Sequence, residues 1–548
     1  MTAKKYPTLL PILFAALFLT ITANYRFFTE TLRVYPLAQG NALFLFSTSI
    51  VLLAFELFLL ALVSLCLPYR WAMSFILLLA SATAYFSDKF GTIIDTSMIR
   101  NILQTDAHEA LDLATWPLFA RIILLGVLPA AALWKIPTPK LSWTRRSLYF
   151  GSTAVASLLM AATIIFMFSG KYASFFREHK VLRTYSNPLM AVASIIQLSK
   201  SAPTLTDNDH LNKILLDAKK DPADEAKELV ILVVGETARE DHFSLNGYSR
   251  QTNPLLEKET GVISYTDISS CGTSTAISVP CMFSSQGHNN FDVKSSQQQE
   301  NLLDVLQREG VSVLWRDNNS GSKGVADRVS YEDFSKPDLN PVCDIECRDV
   351  GMLAGLQQFI DQQSGDILIV LHQMGNHGPA YFKRYPAEFE KFQPACHSLD
   401  LADCSNEEIR NAYDNAILYT DYFLAQVIQL LKQNTPKFET TMLYISDHGE
   451  SLGEHGLYLH GAPYAMAPEE QTHVPLILWL SESSDVDMQS AIMQKNKHSS
   501  HDALFKSLLT TFEIEAPEEE NADAFYRVKP PTYRVKPPAS SSPTAQIH

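Results

Sequence analysis

Five apolar runs within the first 170 residues constrain this chain more than any other feature of its sequence. A run of about 18 or more apolar residues can cross roughly 30 Å of hydrocarbon as a helix. Two of the five runs are shorter than this, whereas the rest of the chain has the mixed composition of a water-soluble protein. The sequence therefore predicts five membrane-spanning helices and a large soluble part, with spans at residues 8–24, 42–67, 71–86, 122–134 and 148–169.

Two features of these runs bear on their interpretation. Lys4 and Lys5 before the first run are typical of a signal peptide, but further runs follow and no small-residue cleavage site stands out before Asn24. We therefore expect a membrane helix there. Glu56 lies inside the second span, where an acidic side chain marks either a functional site or a hydrogen bond between helices.

The charges between the spans predict how the chain crosses the membrane. One set of connecting segments is purely basic: Lys4, Lys5, Arg70, Lys135, Lys140, Arg145 and Arg146. The other set mixes both signs: Arg26, Glu30, Arg33, Asp88, Lys89, Asp95, Arg100, Asp106, Glu109 and Asp112. Cytoplasmic loops are enriched in lysine and arginine. We therefore expect a cytoplasmic N-terminus and, after five crossings, an extracytoplasmic location for everything beyond Ser169.

The cysteines agree with this topology. Cys66 lies in the second span, and the other six of the seven cysteines form three close couples: Cys271/Cys281, Cys343/Cys347 and Cys396/Cys404. An even, clustered set is typical of an oxidising compartment, and pairing within each couple is the simplest arrangement, although the sequence alone does not select it. A zinc knuckle is the weaker alternative because Cys-x-x-Cys spacing is absent. The expected location is a bacterial inner membrane with a periplasmic soluble part.

Composition divides the chain into a transmembrane domain, an interfacial connector, a main domain and a tail, at residues 1–170, 171–227, 228–515 and 516–548. Aromatic residues suggest interfacial helices at 172–177 and 188–198. The tail repeats Tyr-Arg-Val-Lys-Pro-Pro at 526–531 and 533–538 before a Ser/Pro-rich end, and we expect it to be disordered. The net charge of −15 argues against nucleic-acid binding.

Short β-branched or apolar runs alternate with helical patterns in the main domain. The expected strands are 229–234, 311–315, 367–371, 441–445 and 474–480. The expected helices are 301–309, 352–363 and 409–433. Such alternation predicts an α/β domain with a mostly parallel sheet. In these sheets ligands bind at the carboxyl ends of the strands.

Polar clusters follow four of the predicted strands directly. They are 235–239 (Gly-Glu-Thr-Ala-Arg), 316–319 (Arg-Asp-Asn-Asn), 372–378 (His-Gln-Met-Gly-Asn-His-Gly) and 446–450 (Ser-Asp-His-Gly-Glu). Four clusters at strand ends predict one active-site rim. Glu236, Asp447 and His448 are ligand types suited to Zn²⁺ or Mn²⁺. Together with His377 and His460, they favour a metal site over simple turns.

A hydroxyl-rich stretch at 270–282 opens a helix-like run and offers a nucleophile. A Ser or Thr at a helix start faces the positive end of the helix dipole, which stabilises an alkoxide or a phosphate oxygen. A metal would lower the hydroxyl pKa further. The spacing leaves Thr273, Ser274, Thr275 and Ser278 as candidates, and a helix N-cap is the alternative role.

These motifs resemble those of the phosphoethanolamine–lipid A transferases, a family that includes the mobile colistin resistance enzymes and lies within the alkaline phosphatase/sulfatase superfamily. The resemblance also covers 374–379 (Met-Gly-Asn-His-Gly-Pro), 413–415 (Tyr-Asp-Asn) and 458–461 (Tyr-Leu-His-Gly), and it runs from about residue 5 to about residue 513. It implies five membrane spans and an alkaline phosphatase/sulfatase-like catalytic domain. Only the tail departs from the family pattern.

The resemblance also implies roles for individual residues. Thr275 matches the nucleophile, and the catalytic zinc ligands match Glu236, Thr275, Asp447 and His448. In the family, two histidines act at the phosphoryl site, near a second zinc ion, and they match His377 and His460. The family residues that hold the phosphoethanolamine group match Asn319, Lys323 and Glu450. The three cysteine couples match the family's local disulfides.

The expected reaction has two steps. Thr275 attacks the phosphorus of phosphatidylethanolamine and releases diacylglycerol, and a phosphate of lipid A then accepts the group from the threonine. His377 or His460 assists as acid or base, Lys323 offsets phosphoryl charge and Glu450 holds the ammonium. We expect a monomer in contact with membrane lipids. The cationic group that it adds to lipid A weakens the binding of polymyxins such as colistin.

Four alternatives remain. The acceptor could be a lipopolysaccharide core sugar or another periplasmic glycan, or water, as in a sulfatase-like phosphodiesterase. A non-enzymatic membrane anchor or sensor would leave the predicted metal cluster without a role. A glycerophosphate polymerase of the lipoteichoic acid type shares the five-span layout, but the cysteine couples argue against it.

Overall fold

The computed structural model describes residues 9–105, 107–136, 142–201, 211–220, 226–519 and 522–529. The chain divides into two compact units: Met1–Ala202 with Gly453–Tyr458, and Pro203–Leu452 with Leu459–His548. Lys4, Lys5, Asp106 and Lys140 lie outside the described residues, as does the repeat at 533–538. The predicted membrane orientation remains a prediction, as do the predicted domain boundaries after residues 170 and 227.

The first unit is helical. Its helices are α1 (Leu9–Thr22), α2 (Tyr25–Val34), α3 (Ala42–Cys66), α4 (Tyr69–Phe90), α5 (Thr96–Gln104), α6 (Ala107–Leu113), α7 (Trp116–Lys135), α8 (Trp143–Met167), α9 (Ser169–Arg177), α10 (Lys180–Thr184) and α11 (Leu189–Ser201). Among the described residues, α3, α4, α7 and α8 are each long and apolar enough to cross a membrane, and α1 with α2, bent by 57°, gives a fifth span when counted as one. The five predicted spans coincide with these helices, and α9 and α11 correspond to the expected connector helices.

Two spans are longer than predicted. Helix α4 continues four residues beyond the predicted end at residue 86, and α7 starts six residues before the predicted start at residue 122. The prediction stopped at charged side chains, but Asp88 and Arg121 form an ion pair with each other. Pairing reduces the cost of carrying both charges near the apolar region.

Glu56 is fully buried among the membrane helices. Asn24 Nδ2 donates to Glu56 Oε1 at 3.4 Å and to Asn187 O at 2.7 Å, and Asn187 N–H donates back to Asn24 Oδ1 at 2.8 Å. These contacts join the segment between α1 and α2 to the segment before α11. The structure thus supports the hydrogen-bond interpretation of Glu56.

The second unit is built on a seven-stranded sheet. Its strands are β1 (Glu228–Gly235), β2 (Val262–Tyr265), β3 (Ser312–Asp317), β4 (Ser330–Asp333), β5 (Ile367–His372), β6 (Glu439–Ser446) and β7 (Leu476–Leu480). The order across the sheet is β2-β7-β6-β1-β5-β3-β4. The five strands from β6 to β4 are parallel, and β7 pairs antiparallel with both β6 and β2. The predicted, mostly parallel α/β sheet is confirmed.

Helices cover this sheet, and their apolar sides complete the core. They are α12 (Thr275–Met282), α13 (Leu302–Arg308), α14 (Leu356–Gln362), α15 (Asn406–Asn434), α16 (Met488–Gln494) and α17 (Asp502–Thr511). The three predicted helices correspond to α13, α14 and α15. Helix α14 starts four residues later than predicted, because a 3₁₀ turn at Asp349–Leu353 and the left-handed Gly355 (φ 72°) precede it.

Strands β2 and β4 were not predicted. Strand β4 is a polar Ser-Tyr-Glu-Asp segment at one edge of the sheet, and β2 is a four-residue strand at the other edge. Central strands β1, β5 and β6 are buried at every position, and each contains an uninterrupted run of at least four apolar residues. Edge strands lack this signal.

The disordered tail was predicted to begin at residue 516, which is too early in the chain. Phe525 and Tyr526 are each about 1% exposed and belong to the domain core. Tyr265 Oη donates to Phe525 O at 2.9 Å, and Tyr526 Oη lies 2.8 Å from Thr511 Oγ1. Two adjacent aromatic side chains supply the apolar surface that the composition of the whole tail conceals. Residues 522–529 therefore belong to the folded domain.

The cysteines pair within each couple, as Cys271–Cys281, Cys343–Cys347 and Cys396–Cys404. Cys66 is free and exposed. We predict that the native protein in detergent reacts with one equivalent of maleimide, at Cys66, and that the reduced, unfolded protein reacts with seven. Mass spectrometry of the labelled peptides measures both. Labelling of all six remaining thiols in the native protein would show that the disulfides are absent.

Candidate active site

The site lies where two adjacent parallel strands end. Gly235 at the end of β1 pairs with Ser446 at the end of β6. Glu236 follows the first strand, and Asp447 and His448 follow the second. Neighbouring parallel strands thus bring these three side chains to the same edge of the sheet, as the sequence predicted.

Glu236, Asp447 and His448 form a metal-binding arrangement. One ligand atom from each lies within 4.8 Å of the others, and all three residues are fully buried. His448 Nε2 is 3.3 Å from Asp447 Oδ2 and 3.5 Å from Glu236 Oε1. Within the described residues, Glu236 Oε1 and Asp447 Oδ2 have no hydrogen-bond partner. Buried oxygens that lack donors, beside a neutral imidazole, fit a divalent cation such as zinc.

The electrostatics of these side chains agree with a cation site. Burial and the nearby Asp447 carboxylate raise the pKa of Glu236, and burial raises the pKa of Asp447 to about 6. Burial, together with the nearby His460, lowers the pKa of His448 to about 4. Two buried carboxylates repel each other, and His448 is neutral and able to act as a ligand.

Thr275 supplies the hydroxyl that contacts this metal-binding arrangement. It opens α12, and its Oγ1 donates to Glu236 Oε2 at 3.2 Å and lies 3.4 Å from His448 Nε2. The other candidate hydroxyls do not contact the three proposed ligand side chains through a hydrogen bond of this kind. Thr273 donates to Ala462 O, and Ser278 donates to the backbone oxygen of Asp447. Ser274 Oγ has no partner among the described residues. The geometry therefore singles out Thr275.

His501 also supports the site. It was not predicted from the sequence, because it lies in no cluster or recognised motif. The side chain is fully buried. Its Nε2–H donates to Ser446 O at 2.9 Å, its Nδ1 accepts from Cys271 N–H at 3.1 Å, and Nδ1 lies 3.3 Å from Ser278 Oγ. Burial lowers the pKa of His501 to about 3, so the ring is neutral. It connects the end of β6 to the loop and helix that carry Thr275.

A second group of polar side chains borders the metal-binding arrangement. The ring of His460 lies 4.4 Å from that of His448 and 5.3 Å from that of His377. Glu450 Oε2 accepts from His460 Nδ1 at 2.8 Å, and Glu450 Oε1 accepts from Tyr381 Oη at 2.8 Å. Burial raises the pKa of Glu450 to about 7. Tyr381 is a contact that the sequence did not predict.

Asn319 and Lys323 lie on the loop after β3. Asn319 Nδ2 donates to Glu236 Oε2 at 2.8 Å and to Gln373 O at 2.7 Å. Lys323 Nζ donates to Ser320 O at 2.9 Å and to Ser320 Oγ at 2.6 Å. Asn319 therefore contacts the predicted metal ligand Glu236 directly, whereas the ammonium of Lys323 is held next to Asn319 by Ser320.

The chain is similar to known proteins along most of its length. Residues 228–514 match the Sulfatase family, and residues 52–202 match the family described as Phosphoethanolamine transferase EptA/EptB. Phosphatidylethanolamine transferase Mcr-1 of Escherichia coli is 44% identical over 528 residues, which cover 93% of this chain and 96% of that protein.

Two solved structures are also similar. The integral membrane protein lipooligosaccharide phosphoethanolamine transferase A (EptA) of Neisseria meningitidis is 34% identical, with a TM-score of 0.89 over 96% of this chain and 98% of that one. The C-terminal periplasmic domain of phosphoethanolamine transferase EptC of Campylobacter jejuni is 43% identical, with a TM-score of 0.51 over 56% of this chain and 94% of that domain. With its sulfatase-like domain and its membrane helices, the chain belongs to the EptA/EptB family of phosphoethanolamine transferases.

Proposed function

We propose that this transferase moves phosphoethanolamine from phosphatidylethanolamine to a phosphate of lipid A through a covalent intermediate on Thr275. The placement of Thr275 carries the proposal: its hydroxyl lies 3.2 Å from Glu236 Oε2, at the first residue of a helix. A helix start favours negative charge on an oxygen, as a nucleophile and a phosphoryl group both require. The donor agrees with the name of the relative Mcr-1.

Zinc is the proposed cofactor, held by Glu236, Thr275, Asp447 and His448. When bound, it lowers the pKa of the Thr275 hydroxyl and offsets phosphoryl charge. The buried oxygens without donors support this ligand set. A second zinc ion near His377 and His460 is part of the proposal, supported by the proximity of these rings to each other.

The reaction uses the side chains around Thr275. The Thr275 hydroxyl gives its proton to the histidine pair as its oxygen forms a bond to phosphorus. The bond from phosphorus to the diacylglycerol oxygen breaks, and that oxygen takes the proton from the histidine pair. A lipid A phosphate oxygen then attacks the phosphorus and passes its proton to the same pair, and the Thr275 oxygen leaves and takes up that proton. Glu450 accepts the Nδ1–H of His460, so a proton exchanged by this ring moves at Nε2. Thus His377 and His460 are assigned acid and base roles.

The remaining polar side chains are assigned to the phosphoethanolamine group. Lys323 offsets phosphoryl charge and Asn319 orients a phosphoryl oxygen, while Glu450 attracts the ammonium. The contact between Asn319 and Glu236 supports the assignment of Asn319. Glu450 is already bound by His460 and Tyr381, so its carboxylate acts on the ammonium from a fixed position.

We place the catalytic domain in the periplasm and the N-terminus in the cytoplasm of a bacterial inner membrane, and we propose a monomer. The three disulfides and the periplasmic domain of the EptC relative support the location. Fusion of a reporter that is active only in the cytoplasm to the N-terminus, and separately to the C-terminus, tests the orientation. Activity of the C-terminal fusion would reverse it.

Lipid A is the proposed acceptor, supported by the lipooligosaccharide substrate named for the Neisseria relative. An added ammonium reduces negative surface charge and thereby weakens binding of cationic polymyxins, including colistin. Mass spectrometry of lipid A from cells expressing the protein tests this directly. We expect added phosphoethanolamine on lipid A, whereas unmodified lipid A beside a modified core would assign a different acceptor.

Zinc binding should weaken as the pH falls. Asp447 has its pKa raised to about 6 and Glu236 has its pKa raised, and each carboxyl must release its proton to bind the ion. We expect the apparent affinity to fall at least about tenfold for each pH unit below 6, because each protonated carboxyl contributes a factor of ten, and to change less at neutral pH. Competition with a fluorescent chelator at several pH values measures this. An affinity that does not change with pH would contradict the ligand assignment.

A further inference from the structure

Thr237, directly after the metal ligand Glu236, has an uncommon backbone conformation. Its φ is +52°, in the left-handed region, and the residue is fully buried. A β-branched residue is rarely found there, and such a conformation persists only where the surroundings hold it. Thr237 Oγ1 makes no hydrogen bond to the described residues. The side chain therefore does not hold this conformation through a polar contact of its own.

The backbone that follows Thr237 is held by one phenol. Tyr413 Oη donates to Thr237 O at 2.7 Å and accepts from Arg239 N–H at 2.9 Å. Tyr413 is fully buried in the middle of α15, with its ring 5.5 Å from the ring of Tyr381. Packing fixes the ring, so its hydroxyl is a rigid clamp on the turn.

The turn in its left-handed form connects the two carboxylate ligands. Thr237 N–H donates to Asp447 Oδ1 at 3.2 Å, and Ala238 N–H donates to Ser446 Oγ at 2.8 Å. A change of φ at Thr237 would rotate its N–H away from Asp447 and would move the adjacent Glu236. The clamp thus acts on both carboxylates at once.

We propose that the Tyr413 hydroxyl is a positioning group, which holds Thr237 in its left-handed conformation and thereby sets Glu236 and Asp447 for metal binding. The inference rests on the proposed function in that these carboxylates are taken to bind the catalytic zinc. Tyr413 is not a catalytic residue, because its contacts are to backbone groups of the turn. The competing interpretation is an aromatic side chain that only fills the core.

The test uses the full chain in detergent and four variants: Tyr413→Phe, Thr237→Gly, the two combined, and Tyr265→Phe. Tyr413→Phe removes one oxygen and keeps the ring. Glycine adopts positive φ about as readily as negative φ, so Thr237→Gly removes the need for a clamp. Tyr265→Phe is the matched control, since Tyr265 is also buried and donates to a backbone oxygen, Phe525 O, outside the site.

We expect Tyr413→Phe to lower the affinity for zinc about 10–100-fold, as loss of a group that orients metal ligands commonly does. Adding Thr237→Gly should restore most of that affinity, with Thr237→Gly alone as the reference for the combined variant, while Tyr265→Phe should bind zinc like the parent. Transfer should follow zinc affinity, with kcat lowered at limiting zinc and KM for phosphatidylethanolamine unchanged. Zinc binding is measured by chelator competition without lipid.

Three outcomes would overturn the inference: parent-like zinc affinity in Tyr413→Phe, equal loss in Tyr265→Phe, or no recovery in the combined variant. Should Tyr413→Phe alone not fold, the combined variant decides, because it must then fold and bind zinc. Failure of the proposed function is seen separately, as absence of phosphoethanolamine transfer by a parent protein that binds zinc normally.

Discussion

Replacement of Thr275 by alanine is expected to reduce phosphoethanolamine transfer by at least about 10⁴-fold while the protein stays folded in the membrane. The lost hydroxyl lies 3.2 Å from Glu236 Oε2 and 3.4 Å from His448 Nε2. Without it no covalent intermediate forms, whereas the remaining side chains of the site keep their contacts. Purified protein is incubated with phosphatidylethanolamine and lipid A, and the modified lipid is quantified by mass spectrometry.

Two further variants make this result specific. Thr511→Ala makes the same chemical change at another buried helical threonine, whose hydroxyl donates to Ser507 O at 3.0 Å outside the site, and it should transfer at the parent rate. Thr275→Ser keeps a hydroxyl and should retain measurable activity. With donor alone, the parent should carry phosphoethanolamine on the peptide that contains Thr275. Parent-level transfer by Thr275→Ala, or an adduct on Ser278, would assign the nucleophile elsewhere.

The sequence predicted much of this site because its ligands directly follow buried strands. Strand β1 is apolar at residues 229–234 and β6 at residues 442–445, so the ends of both strands, and with them Glu236 and Asp447, can be located in the sequence. The pattern does not show that β1 and β6 are neighbours; the register between Gly235 and Ser446 comes from the structure. The choice of Thr275 among four hydroxyls rested on resemblance, and the structure supplied its contacts.

What the sequence missed depends on contacts between distant residues. His501 and Tyr381 are single polar side chains whose partners are far away along the chain, and neither belongs to a periodic pattern. The ion pair between Asp88 and Arg121 likewise concealed the true lengths of two spans. The folded tail depended on Phe525 and Tyr526 finding the domain core. Local composition and spacing do not show which distant residues come into contact.

Replacement of Asp447 by asparagine should abolish function and yet stabilise the metal-free protein. Asparagine Oδ1 can still accept from Thr237 N–H and His448 N–H, as Asp447 Oδ1 does at 3.2 and 2.7 Å. It loses the charge and the second oxygen, which is a proposed zinc ligand. We expect transfer to fall about 10³-fold or more. Zinc content after gel filtration should fall below one ion per chain.

The stability change follows from the pKa of Asp447. Burial raises this pKa to about 6 from an ordinary value of 3.8, so the folded state disfavours the ionised form. The cost of ionisation is fully present above pH 6, decreases as the pH falls from 6 to 3.8, and disappears below 3.8, where the carboxyl is protonated in both states. At neutral pH, Asp447→Asn removes this cost and should raise the free energy of unfolding of the metal-free protein by about 1–3 kcal/mol. Thermal unfolding in the presence of a chelator measures the effect.

Opposite changes in stability and activity distinguish a functional carboxylate from a structural one. Asp421→Asn is the control, since Asp421 is also buried, has its pKa raised to about 7 by burial, and accepts from the backbone N–H groups of Leu255 and Leu256, away from the site. It should bind zinc and transfer phosphoethanolamine like the parent, whatever its effect on unfolding. A metal-free Asp447→Asn protein less stable than the parent would mean that the carboxylate holds the turn together. Because Asp447 and Glu236 are buried close together and both are proposed zinc ligands, we expect zinc to stabilise the parent and to have little effect on Asp447→Asn.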